Sequence, residues 1–85
     1  MHKNLIWTND PGHAWLAVPR TDLRALGIEA RITGYSYVRG DTVYLEEDLD
    51  AGTYLEAAKG AGWTVETTEE NVNWTPIRGY ASYQV

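Results

Sequence analysis

Turn chemistry interrupts this chain at residues 9–12 (NDPG), at Gly27, at Gly40 with Asp41, at residues 60–62 (GAG) and again across 69–76 (EENVNWTP). No stretch between these breaks is long enough for more than a strand or a short helix. That spacing favours a small sheet built largely from hairpins.

Residues 4–8 (NLIWT) read as a strand. Pro11 pre-sets the backbone of the next turn and Gly12 tolerates positive φ there. Residues 13–18 then alternate, with Ala14, Leu16 and Val18 on one face and His13, Trp15 and Ala17 on the other, closing a hairpin. Pro19 suits the first turn of a helix. Leu23 and Leu26 supply its inner face, Gly27 its stop and Ile28 the apolar residue folding back after it. Residues 31–38 and 41–47 form a second predicted hairpin about Gly40 and Asp41, so the RGD tripeptide there reads as a turn signal.

Ala51, Tyr54, Leu55, Ala58 and Ala61 or Gly62 recur at helical spacing, with Thr53, Glu56 and Lys59 toward water. Residues 63–68 alternate again, placing Trp63, Val65 and Thr67 together, and residues 77–85 read as a closing strand. The predicted order is ββαββαββ: a single α+β domain over residues 1–85, with a mainly antiparallel sheet of five or six strands and two short helices on one face. The other face would be solvated or covered by a second copy.

Composition narrows the function classes. Seven basic and twelve acidic residues give a net charge of -5, which opposes direct binding to a nucleic-acid backbone and suits a basic partner. There is no cysteine, hence neither a disulfide framework nor a thiolate metal site. No signal-like apolar run and no stretch approaching about 18 apolar residues occurs; the expectation is a cytoplasmic protein without a membrane span. Four Trp and six Tyr without any Phe favour rings that keep one polar end in contact with water or a partner.

The densest cluster of ionisable groups is YLEEDLD at residues 44–50. No calcium-loop spacing is present, and no apolar flank separates the pKa values of two carboxylates for acid–base work. Capping of the following helix by Asp48 or Asp50, with Leu49 and Tyr54 as a hydrophobic staple, accounts for part of the run. Glu46 and Glu47 are then the residues folding explains least. His13 lies three residues beyond Asp10, a pairing that could make a base, but no nucleophile accompanies it and no glycine-rich phosphate loop exists. Tyr35, Tyr37, Tyr44, Tyr80 and Tyr83, with Trp74, would form an aromatic contact surface if they share a face.

The segments DPGHAWLAVP, LGI, ITGYSYVRG and YLEEDLDAGTYLEA together resemble a family of small uncharacterised proteins carried by bacterial phages, plasmids and other mobile elements. Its pattern runs D-P-G-H-x-W-L-x-V, I-S-x-Y-S-Y and Y-L-E-E-D-x-D. The match covers about residues 10–58, with Thr33 where the family has serine. The resemblance implies a mobile-element accessory protein. By analogy, small acidic proteins of such origin are often inhibitors of host nucleases or immune complexes, anti-CRISPR proteins among them. The expected partner is a host protein with a basic surface, met by Asp41, Tyr44, Glu46, Glu47, Asp48, Glu66, Glu69, Glu70 and Trp74. No catalytic residue, metal or cofactor is expected. The alternative is a homodimeric structural or regulatory module joined through sheet edges or the tyrosine face.

Overall fold

Six strands and two helices follow one another along residues 1–85 of the computed structural model: β1 (His2–Asn9), β2 (Ala14–Pro19), α1 (Arg20–Ala25), β3 (Tyr37–Arg39), β4 (Thr42–Glu46), α2 (Asp50–Gly60), β5 (Thr64–Asn71) and β6 (Ala81–Ser82). Single turns of 3-10 helix occupy Glu29–Arg31 and Pro76–Gly79. All six strands join one sheet in the order β5-β1-β2-β4-β3-β6. The α+β class and the two helices agree with the reading of the sequence; the sheet is mixed rather than purely antiparallel.

The parallel pair is β1 with β5, in register from His2↔Thr64 to Asn9↔Asn71. Its cause is α2. A helix carries the chain back along the sheet, so the strand after it runs the same way as the strand before it. α1 works likewise between β2 and β3. The two crossovers start from antiparallel strands and run in opposite directions across the sheet, so the right-handed rule places both helices over the same face. The core confirms this placement: Leu5, Leu16, Val18, Val43 and Leu45 from alternate strand positions meet Leu23, Ala51 and Tyr54 from the helices.

Both helices end as their glycines suggest. Gly27 has φ 69° and Gly62 φ 79°. The next residue in each case donates back five positions, Ile28 to Leu23 and Trp63 to Ala58, each at 2.9 Å. Ile28 and Leu23 are both buried in the core, the apolar contact that accompanies this stop. The Tyr54 hydroxyl reaches the buried Asp22 carboxylate at 2.9 Å, whose other oxygen takes Lys3 Nζ at 2.9 Å. Burial first, and then this carboxylate, push the Tyr54 hydroxyl far above its ordinary titration range.

Two predicted strands shrink. Of residues 31–38 only the end enters β3, because side chains capture the rest. Asp50 is fully buried and accepts from the Thr33 N–H (3.0 Å), the Thr33 hydroxyl (2.7 Å) and the Ser36 hydroxyl (2.6 Å). The Ser36 oxygen in turn accepts from the Glu46 N–H at 3.0 Å. Residues 77–85 contribute only β6, since Pro76 starts a 3-10 turn there. Conversely, β5 runs on through Glu69, Glu70 and Asn71, where turn formers suggested a loop, because β1 offers a partner at every position.

The start of α2 differs from expectation too. Neither Asp48 nor Asp50 caps it. The Glu46 carboxylate does so from the end of β4, accepting the N–H groups of Asp48 (2.7 Å), Leu49 (2.8 Å) and Asp50 (2.7 Å). Leu49 is 57% exposed, so it forms no staple with the buried Tyr54.

Replacing Asp50 by alanine strands three donors in the interior and should lower stability by about 3 kcal/mol, against about 1.5 kcal/mol for Ser36→Ala. Urea unfolding midpoints decide the matter, and an equal loss from the two substitutions would contradict a network centred on Asp50.

Candidate interaction site

β5 and β6 lie at opposite edges of the sheet, so the chain joining them must cross it. Residues 72–80 make that crossing over the face turned away from the helices. The strap therefore covers the part of this face around Trp15 and Tyr44, while Ile6 on β1 stays 47% exposed. Trp15, on this face of β2, is only 2% exposed. The Arg78 guanidinium lies 5.7 Å from its ring centre, His13 stacks on it at 5.8 Å and Tyr37 meets it edge-on at 6.4 Å. Further along, Tyr80 of the strap packs on Tyr44 at 5.4 Å, with Arg39 5.1 Å from the Tyr80 ring. Burial and the neighbouring Tyr80 push the Tyr44 hydroxyl up, against the opposing pull of Arg39. Tyr83 belongs to neither surface; its ring is in the core and its hydroxyl donates to the Glu29 carbonyl at 2.7 Å.

Arg78 pins the strap. One guanidinium nitrogen lies 3.2 and 3.3 Å from the two Asp10 oxygens and also faces His13 Nδ1. An arginine can only donate, so in this contact Nδ1 is the acceptor. Asp10 does not orient this imidazole as a catalytic partner would. Its Oδ1 instead accepts the backbone N–H groups of Gly12 (3.0 Å) and His13 (2.7 Å), closing the turn after β1. Burial alone would raise the Asp10 pKa, but these N–H groups and Arg78 outweigh it and hold the carboxyl below its ordinary value of 3.8.

The sheet register sorts the acidic residues. Glu70 pairs with Thr8, Thr8 with Trp15 and Trp15 with Glu46, forming one row across β5, β1, β2 and β4. Glu47, Asp48, Glu69 and Asp10 lie at the same end of the sheet, where Glu47 and Glu69 border one cleft with Asp10. The structure thus brings together Glu46, Glu47, Asp48, Glu69 and Glu70, and adds Asp10. Asp41 sits in the turn before β4, at the far end, and Glu66 lies back along β5 in contact with His2 at 2.8 Å. Trp74 is 76% exposed on the strap, whereas Tyr44 is partly covered by Tyr80 and Glu46 already holds three backbone donors. Neither Tyr44 nor Glu46 is therefore the free contact residue expected of it.

Beside the row lies a cleft of about 440 Å³ lined by His13, Trp15, Tyr35, Tyr37, Glu46, Asp48, Leu49 and Arg78. The role of Arg78 was missed in the sequence because its partners are 65 and 68 positions away. No group of three or more His, Cys, Asp or Glu side chains is arranged to hold a metal ion, and no helix is long and apolar enough to cross a membrane. No protein-family model, no curated protein and no solved structure matches the chain.

The lowered Asp10 pKa fixes the sign of one pH effect. Its charge stabilises the fold above the ordinary value of 3.8, and that contribution is lost as pH falls through the lower folded value. The stability gap between the wild type and Asp10→Asn should therefore be open near neutrality and close in acid. Urea midpoints at about pH 6 and about pH 2.5 test this; a gap that widens in acid would reverse the assignment.

Proposed function

We propose that this protein is a non-enzymatic accessory protein of phage or plasmid origin. It acts in the host cytoplasm by occupying a basic, nucleic-acid-binding surface of a host defence complex or nuclease, in the manner of an anti-CRISPR inhibitor. The observation that carries this reading is the charge polarity of the sheet. Asp10, Glu46, Glu47, Asp48, Glu69 and Glu70 share one end, and Arg78 there is already paired with Asp10. The row from Glu70 to Glu46 spans four strands, about 14 Å. Such a field speeds encounter with a basic groove and sets the orientation of docking.

The resemblance to mobile-element proteins supports the origin, and the open outer edge of β5 supplies a surface on which to dock. A second copy suits these surfaces less well. Tyr44 is already packed by Tyr80 of the strap, and pairing β5 with another β5 would bring the glutamates Glu66, Glu69 and Glu70 of the two copies close together.

Glu47→Lys, Asp48→Lys, Glu69→Lys and Glu70→Lys combined should weaken capture of CRISPR effectors or basic-groove nucleases by about a hundredfold or more. Asp41→Lys with Glu66→Lys should change it little. Binding measured at low and high salt decides; equal losses from the two sets, or binding indifferent to salt, would reject a partner recognised through this end.

A further inference from the structure

We propose that the cleft between the strap and the turn after β4 receives an arginine side chain from the partner. This inference rests on the preceding reading that the partner surface is basic, and it names the pocket that reads that surface.

The cleft combines two kinds of wall. Trp15, with His13 stacked on it and Tyr37 edge-on to it, forms an aromatic side, while Tyr35 and Leu49 stand at its rim, 80% and 57% exposed. The polar lining is Glu46, Asp48 and Arg78. Arg78 brings one positive charge, but Asp10 holds that guanidinium from outside the cleft at 3.2 Å, and His13 turns Nδ1 to it as an acceptor. Two carboxylates therefore remain, and the pocket is negative.

These carboxylates are not equivalent. Glu46 is committed to the start of α2, whereas the Asp48 carboxylate has neither a hydrogen bond nor an ion pair within the chain. An unengaged acid beside aromatic faces recognises an organic cation. A guanidinium suits it better than an ammonium, because it is planar, stacks on rings and can take both oxygens of one carboxylate. The protein already uses this pairing once: Arg78 lies over Trp15 while it binds Asp10. An incoming arginine would repeat it with Tyr35 or Tyr37 as the ring and Asp48 as the acid.

The test uses the whole chain and a capped glycine–arginine–glycine peptide, with lysine and citrulline versions as controls. Amide signals of Tyr35, Asp48 and Leu49 and the indole signal of Trp15 are followed by NMR. The arginine peptide should give saturable shifts at these positions with a dissociation constant of about 1 mM. Lysine should bind more weakly and citrulline not at all. Asp48→Asn and Tyr35→Ala, both at exposed positions, should each weaken binding roughly tenfold without altering the rest of the spectrum.

Equal binding of citrulline, binding that survives both substitutions, or shifts confined to β5 would overturn the assignment. Glu69→Lys with Glu70→Lys separates the two levels of the argument, since peptide binding in the cleft should persist in that variant. If the peptide fails while those reversals still weaken capture of the host protein, the arginine pocket is wrong and the acidic docking end stands.

Discussion

The buried carboxylate of Asp50 is the point on which three parts of the chain depend. It belongs to the first turn of α2, yet its hydrogen bonds go to Thr33 and Ser36, in the loop before β3. Ser36 passes the connection to the end of β4, whose Glu46 returns it to the start of α2. A buried charge is costly unless donors surround it, and here a backbone N–H and two hydroxyls do so. The loop, the strand end and the helix start can therefore adopt these positions only together. The segments ITGYSYVRG and YLEEDLDAGTYLEA carry the two halves of this one network.

A second long-range tie acts on the opposite face. The strap has little regular structure, and its position follows from Arg78 between Asp10, His13 and Trp15 and from Tyr80 on Tyr44. It encloses Trp15 on the side of the sheet that has no helix, giving the small domain a second apolar layer. It also covers Tyr44 and leaves Tyr35 exposed at the rim of the cleft beside the acidic end.

Local chemistry was legible in the sequence wherever neighbours in the chain decide it. Alternation placed Leu16 and Val18 in the core, and Gly27 with Ile28 marked a helix stop that the structure contains in detail. The sequence misled where distant partners decide. Residues 31–36 have strand-like composition, but Asp50 holds Thr33 and Ser36 in a loop. Glu69 and Glu70 sit among turn formers, but β1 draws them into a strand. For the candidate site, the carboxylates were visible as a cluster, while their division was not. Of Glu46 and Glu47, the two that folding explained least from the sequence, Glu46 has the most definite folding role of the run, whereas the Asp48 carboxylate two positions on has none.

The pairing of β1 with β5 has a consequence for how the chain reaches this structure. Asn9 and Asn71 face each other across 62 positions. Closing a loop of that size costs about 3–4 kcal/mol of chain entropy before the contacts it brings can repay it. The β1–β2 hairpin needs only a short turn, so it can form early with the outer edge of β1 unpaired. Until β5 arrives, that edge offers Ile6 and Trp7 to any other strand, and the strand that finally shields it carries Glu66, Glu69 and Glu70 on a poor template for further pairing. The late-closing strand, the cover over the edge of β1 and part of the acidic end are thus the same eight residues.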